Sequence, residues 1–154
     1  QKYIWFTTPY LVITEEMKRM LILAARRGVD VRIITPGIPD KKLIYNVTRS
    51  YYDELVDGGV RIFEYTPGFL HTKDCLCDGR YATCGTINLD FRSFYHHFED
   101  GVLMMDTPAV GQIKEDFEKT FAASEEVTEA YRNIRKVSPH RLWQMILRLF
   151  SPLM

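Results

Sequence analysis

Apolar positions along this chain recur in two rhythms, and the switches between them lay out its elements. Residues 2–7, with Tyr3, Ile4, Trp5 and Phe6 in succession, predict a short strand of aromatic and β-branched residues. Thr8-Pro9-Tyr10 is a turn. Thr14 then caps a helix, with Glu15 and Glu16 in its first turn, where the helix dipole favours acids. Met17, Met20, Leu21, Ala24 and Ala25 fall at helical spacing, and Gly28 ends the element. Alternation returns over 29–34, where Val29, Val31 and Ile33 predict a strand. Pro36-Gly37-Ile38-Pro39 is a loop by composition. Asp40 can cap a second helix whose apolar stripe is Leu43, Ile44, Val47, Tyr51 and Leu55. Asp57-Gly58-Gly59 breaks it, and 60–65 reads as a third strand. After Thr66-Pro67-Gly68 come a strand carrying His71, a turn at Asp78-Gly79 and a return strand over 81–84. Residues 98–105 supply another apolar strand. Asp106-Thr107-Pro108 opens a helix with Val110, Ile113, Phe117 and Phe121 on one face.

Strands alternating with helices predict an α/β fold: a mixed, mostly parallel sheet flanked by helices on both faces. At 154 residues the chain is one domain's worth. Residues 1–130 read as that domain, and 131–154 differ in character. From Arg132 onward there are five Lys or Arg and no acid, interleaved with Leu142, Trp143, Ile146, Leu147, Leu149 and Phe150. Such a basic amphipathic helical tail can lie on an anionic membrane surface or pack against protein. Twenty basic side chains balance twenty acidic ones, so no global field draws the chain to nucleic acid. The acidic stretch 115–129 argues the same way. Three cysteines, an odd number, suggest reduced thiols rather than a disulfide framework. No run approaches the roughly 18 apolar residues of a membrane span. Opening almost at once in an apparent core strand, the chain reads as a piece of a longer protein.

The chemistry concentrates in 71–99. His71-x-Lys73 puts an imidazole one pleat from a fixed positive charge if both sit on a strand. Thr86 adds a hydroxyl and Asn88 an amide donor, just after Gly85, which lets a ligand approach the backbone closely. One nucleophile or acid, three phosphate donors and no metal cage suit phosphodiester chemistry that needs no cofactor, because charge developing on the phosphoryl oxygens meets preplaced donors. Cys75, Cys77 and Cys84 lack the paired spacing of a zinc site, which leaves buried free thiols as their reading. His96 and His140 read as surface polar residues, and the Tyr51-Tyr52 pair as packing.

His71, Lys73, Asp78, Gly85, Thr86 and Asn88 together resemble the HKD motif of the phospholipase D superfamily, H-x-K-x4-D-x6-G-[S/T]-x-N, at every spacing. Outside the motif, Thr8-Pro9-Tyr10, Gly28-Val29-Asp30-Val31-Arg32, Arg49-Ser50-Tyr51-Tyr52, Gly59-Val60-Arg61-Ile62, Pro67-Gly68-Phe69-Leu70-His71 and Asn88-Leu89-Asp90-Phe91-Arg92-Ser93 resemble bacterial cardiolipin synthases. The resemblance is to the second of two HKD halves. It implies transfer of a phosphatidyl group from one phosphatidylglycerol to another, giving cardiolipin and glycerol through a phosphohistidine. It implies His71 as acid and base, Glu99 orienting it, Lys73 and Asn88 on the phosphoryl oxygens and Thr86 supporting them. Asp78 and Gly85 are then structural, Asp78 by its turn chemistry. The implied partners are phosphatidylglycerol, the anionic membrane surface and the N-terminal HKD half. The implied location is the cytoplasmic face of a bacterial membrane, reached through N-terminal membrane helices outside this soluble stretch. The alternatives are a single-HKD phosphodiesterase or nuclease acting as a homodimer, and a half that is inactive alone.

Three positions depart from the family pattern. His97 stands where Asn is common. Asp74-Cys75-Leu76-Cys77 replaces an aliphatic stretch, and Asp74 would bring a carboxylate into the core. Asp100-Gly101 interrupts the strand after Glu99, as a bulge would.

Overall fold

A computed structural model of the chain describes residues 1–132 together with Trp143, Ile146 and Arg148. Its first half is a run of strand–helix–strand units. β1 (Tyr3–Thr7) leads through the two-residue β2 (Leu11–Val12) into α1 (Glu15–Arg26), then β3 (Asp30–Pro36), α2 (Lys42–Ser50), α3 (Tyr52–Asp57) and β4 (Arg61–Tyr65). Thr14 caps α1, its Oγ1 accepting the Met17 amide at 3.2 Å. Gly28 just past the end takes φ +89°, the left-handed conformation that lets the chain turn into β3. Asp40 does not cap the second helix: it accepts the Tyr10 hydroxyl at 2.6 Å, and Lys41 occupies the cap position without a side-chain bond. The single helix expected over this stretch is two, because the turn at Tyr51 separates α2 from α3. That turn lets both Tyr51 and Tyr52 be buried.

The second half is built from hairpins. β5 (Asp74–Cys77) and β6 (Tyr81–Gly85) are joined by Asp78, Gly79 and Arg80, with Asp78 and Gly79 at positive φ and the Arg80 amide donating to Cys77 O at 3.0 Å. Two successive residues at positive φ are what a tight hairpin turn of this hand needs. β7 (Leu89–Asp90), α4 (Phe91–Tyr95), β8 (Gly101–Met105), α5 (Pro108–Ala122), β9 (Ser124–Glu126) and α6 (Thr128–Tyr131) follow. The main sheet runs β8-β6-β5-β1-β3-β4-β9, and β2 pairs with β7 in a small parallel sheet of its own.

The fold is a mixed α/β sheet, but it is not mostly parallel. In the main sheet β1–β3 and β3–β4 run parallel, while β1–β5, β5–β6, β6–β8 and β4–β9 are antiparallel. A parallel pair needs a crossover of a dozen or more residues, which the first half has and the hairpin-linked second half lacks.

Strand alternation feeds two cores. Ile4, Phe6, Val31, Ile33 and Ile62 face α1, α2 and α3, whereas Trp5, Ile34, Phe63, Leu76 and Ala82 face Val110 and Phe117 of α5. Trp5 and Phe63 meet Phe121 edge-on, with ring centroids at 5.2 and 4.7 Å. Helices therefore cover both faces. Arg148 bonds Glu15 at 2.7 Å and also reaches Glu54, so this basic residue rests on α1 and α3. Trp143 and Ile146 are exposed, and the rest of the tail expected over 131–154 lies, beyond Arg132, outside the described residues.

Candidate active site

Two threonines at the end of β1 set up the site. Thr7 Oγ1 accepts the amide of Asp74, the first residue of β5, at 3.0 Å. Thr8 Oγ1 accepts the amide of Leu89 at 3.1 Å while donating to the Tyr10 carbonyl at 2.7 Å. Both threonines are buried, which shelters these bonds from water. The segments that carry His71 and Asn88 are thus tied to one point of the sheet.

Leu70 is buried in the α5-side core, and His71 directly after it is exposed, its ring 5.6 Å from that of Phe69. Since β5 begins only at Asp74, His71 and Lys73 lie in the irregular stretch before it and not on a strand. They still meet: Lys73 Nζ donates to His71 Nδ1 at 3.2 Å and to the His71 carbonyl. An ammonium has donors only, so Nδ1 is the acceptor in this contact. Burial pulls the Lys73 pKa below the ordinary lysine value, with the carboxylates of Asp74, Glu99 and Asp90 opposing it.

Glu99 accepts the hydroxyl of Thr86. Thr86 is fixed in turn by the Asp100 amide, which donates to its Oγ1 at 2.9 Å, and by its own amide on Asp100 O, also at 2.9 Å. The Thr86 bond is the chief cause holding the Glu99 carboxyl below the usual range; a bond from Ser93 and the charges of His97 and Lys73 help, and burial opposes. The structure therefore brings Glu99 to Thr86, and Lys73 to His71, where the sequence suggested Glu99 on His71.

Asn88 is held through its backbone, its amide donating to Ser93 Oγ at 3.1 Å. Ser93 is itself positioned by Asp90, which caps α4 by accepting the Ser93 amide at 2.8 Å. The side-chain Oδ1 of Asn88 is buried and has no hydrogen-bond partner among the described residues. Asn88 lines a cavity of about 360 Å³ together with Tyr10, Lys41, Arg92 and His97. A second cavity, of about 280 Å³, runs past Lys73, Asp74, Cys84 and Gly85 to Phe6, Met17 and Phe94. Gly85 sits where a Cβ would come within 2.3 Å of Asp100 O, so close approach of two backbones explains this glycine.

Asp78 is at the far end of β5 from His71. Its Oδ1 accepts the amides of Lys2 (2.7 Å) and Tyr3 (2.9 Å), clamping the start of β1 and holding its pKa down. Asp74, half-buried, leaves Oδ1 unpartnered among the described residues, and burial raises its pKa although Cys84 donates to it. Cys75, Cys77 and Cys84 are free, and Cys84 is exposed where a buried thiol was expected. Gly101 opens β8 opposite Gly85 and does not interrupt a strand. No group of three or more metal-ligating side chains occurs among the described residues. Sequence reasoning assigned no role to Thr7, Ser93, Lys41 or Arg92. Of these only Ser93, at the third position after the capping Asp90, carries a local signal.

A family model described as "Cardiolipin synthase, PLD-like domain" matches residues 1–121. The chain is 45% identical over 152 residues to an uncharacterised protein of Streptococcus mutans, and 37% identical over 154 residues to cardiolipin synthase 2 of Bacillus cereus. These matches cover 99% and 100% of the chain but only 33% and 30% of the relatives, so the chain spans about a third of their length. Among solved structures, Nuc of Salmonella typhimurium, a phospholipase D family member, superposes with a TM-score of 0.70 at 16% identity over 81% of each chain. At that identity the likeness is one of fold.

Proposed function

The chain belongs to the cardiolipin synthase, PLD-like domain family, and from that premise we propose that it forms one histidine-bearing half of a phosphatidyltransferase. The reaction joins two phosphatidylglycerol molecules into cardiolipin and releases glycerol. The observation that carries this reading is the pairing of one imidazole with phosphate-binding groups: His71 Nδ1 lies 3.2 Å from Lys73 Nζ, with the Thr86–Glu99 pair and Asn88 on the neighbouring strand connection. The chemistry requires two histidines, and this chain supplies one of them at the site.

In the first step the partner histidine's nitrogen attacks phosphorus and the bond from phosphorus to the glycerol oxygen breaks. His71, as imidazolium, gives that oxygen its proton. In the second step His71 takes the proton from a hydroxyl of the second phosphatidylglycerol. The hydroxyl oxygen bonds to phosphorus, and the phosphorus–nitrogen bond breaks. Lys73 links the two states. An anionic phosphoryl oxygen is a stronger acceptor than a neutral imidazole, so substrate draws the ammonium off His71 Nδ1. Nδ1 is then free to carry the proton that an imidazolium acid needs. Glu99, held ionised by Thr86, stabilises that charge, and Asn88 helps to hold the phosphoryl group. Asp78 and Gly85 serve the frame.

The second histidine has a natural point of entry. β8 is an edge strand beside the site, and Val102, Leu103 and Met105 on it are all more than half exposed. A second PLD-like half, or a second copy of this chain, would cover these residues and complete the site. No helix among the described residues is long and apolar enough to cross a membrane. Work at the cytoplasmic face on anionic phospholipid would then depend on segments elsewhere in the protein.

The test is to incubate the full-length protein that carries this chain, and the chain alone, with phosphatidylglycerol vesicles and to detect cardiolipin by mass spectrometry beside a His71→Ala control. Cardiolipin from the full-length protein and none from the control is the expected result. Product from the chain alone means that two copies complete one site. A folded full-length protein that makes no cardiolipin yet cleaves other phosphodiesters overturns the reading.

A further inference from the structure

We infer that the cavity walled by residues of α2, β2 and α4 seats the acceptor of the transfer, a phosphorylated polyol headgroup whose hydroxyl receives the phosphatidyl group. This rests on the transferase reading above.

The cavity adjoins the reacting centre through two side chains. Asn88 belongs to the phosphate-binding set and also lines the cavity. His97 lines it too, with Nδ1 3.9 Å from Glu99 Oε1. Asn88, in the cavity lining, also carries an unmet demand. Asn88 Oδ1 is buried and has no donor among the described residues, an arrangement that costs free energy until a donor arrives. A hydroxyl of a polyol bound in the cavity becomes such a donor once the Asn88 side chain turns Oδ1 toward it, next to the phosphoryl site.

Charge identifies the rest of the ligand. Lys41 and Arg92 both line the cavity, and neither forms an ion pair among the described residues. Lys41 Nζ lies 5.7 Å from the Tyr10 ring centroid, an arrangement that keeps the ammonium near the cavity. Asp90 is the only acid in the lining, and its Oδ1 is already engaged by the Ser93 amide. Two cations against one occupied carboxylate suit a ligand with a single phosphodiester charge. Val12, Leu43 and Ile44 form the apolar remainder, which fits glycerol carbons and the start of acyl chains. A volume of about 360 Å³ leaves room for a headgroup, while the tails remain outside.

The experiment reads how the phosphatidyl-enzyme partitions between alcohol and water. The full-length protein receives trace labelled phosphatidylglycerol as donor and bulk unlabelled phosphatidylglycerol in mixed micelles. Labelled cardiolipin reports transfer to the acceptor, and labelled phosphatidic acid reports hydrolysis. In a Lys41→Gln/Arg92→Gln double variant the cardiolipin-to-phosphatidic-acid ratio should fall by about ten-fold or more, the loss expected for charged hydrogen bonds to one ligand. Leu43→Trp, which fills the cavity without touching a charge, should lower the ratio in the same direction. A ratio within about two-fold of wild type in both folded variants overturns the inference. Wild-type protein that consumes no phosphatidylglycerol overturns the transferase reading itself, and that result is visible before any variant is compared. A parallel arm offers free sn-glycerol 3-phosphate as acceptor. Product from it that depends on Lys41 and Arg92 assigns the cavity to a soluble polyol phosphate, and its absence alongside cardiolipin formation assigns the cavity to the lipid headgroup.

Discussion

Gly85→Ala tests the point on which the site hangs. An added Cβ would lie 2.3 Å from Asp100 O, 2.7 Å from Gly101 Cα and 3.1 Å from Asp100 C. All three are backbone atoms, so no side-chain rotation relieves the overlap. To regain ordinary contact at 3.4 Å the Asp100 carbonyl must retreat by about 1 Å. Two hydrogen bonds of 2.9 Å run between Thr86 and Asp100 at this point, and such a retreat takes them beyond hydrogen-bond range. Overpacking together with two lost bonds costs about 2–4 kcal/mol. For a chain of this length that lowers Tm by roughly 5–15 °C.

Gly111→Ala supplies the control. Nothing lies within 4 Å of its added Cβ, and the residue sits in α5. There the same change replaces a poor helix former by a good one and stabilises by about 0.5–1 kcal/mol. The two substitutions are chemically identical and opposite in expected sign. Thermal unfolding followed by circular dichroism compares them directly. A Gly85→Ala protein melting within about 2 °C of wild type would refute the backbone clash and, with it, the account of how Thr86 is held.

Asp74→Asn tests the half-buried carboxylate. Its folded pKa is raised, so the destabilisation appears as pH rises through the unfolded value, and the variant should melt roughly 2–4 °C higher at pH 7 with no gain at pH 3; a variant no more stable at pH 7 contradicts this. Thr86→Val removes the chief cause of the lowered Glu99 pKa. That contribution is present above the ordinary glutamate value and is lost as pH falls through the folded one, so the drop in Tm between pH 6 and pH 3.5 should be smaller in the variant, and an equal drop would count against the Thr86–Glu99 bond. Tyr52→Phe leaves the buried Thr35 hydroxyl, 2.6 Å from the lost oxygen, without its partner, at a cost of about 1–3 kcal/mol in chemical denaturation. Adding Thr35→Val should recover most of that loss, and no recovery would deny the bond. Lys73→Met should lower cardiolipin formation about 10²–10³-fold with Tm little changed, and activity within about ten-fold of wild type would remove Lys73 from the phosphate site.

The first half of the fold was legible because its signals are local. Thr14 caps α1, Gly28 turns the chain out of it, and the apolar positions of β1, β3 and β4 alternate between two cores. The sheet's direction in the second half was not legible from alternation alone, since period two is the same in parallel and antiparallel strands. The short connection around Asp78-Gly79 was the better guide, because three residues can only reverse a strand. The split at Tyr51 escaped notice because the apolar stripe runs across it unbroken, from Val47 through Tyr51 to Leu55. Neither β2 nor β7 is long enough to show a period. Their pairing of Leu11 with Leu89 depends on Thr8, a residue that looks in sequence like part of a turn.

The same distinction explains the site. Motif spacing nominated the residues of the proposed site, but it could not choose among competing hydrogen-bond partners. His71 and Lys73 were expected to meet by facing one way on a strand. They meet in irregular chain, where the His71 ring and its carbonyl are the acceptors that the Lys73 ammonium reaches. Glu99 was expected on His71, but sheet register decided otherwise. Gly85 pairs with Gly101, so the residue after Gly85 and the residue before Gly101 are brought together, and Thr86 meets Asp100 and then Glu99. A one-residue slip of β6 on β8 would move Thr86 away from that carboxylate. Gly85 suits this register, because a Cβ on it would run into the Asp100 carbonyl and Gly101 Cα, whereas one on Gly101 would make only ordinary contacts. Gly85 thus acts on the proposed site through register: it lets Thr86 meet Asp100, and Thr86 holds the Glu99 carboxyl below its usual range, where the charge of Lys73 also acts on it.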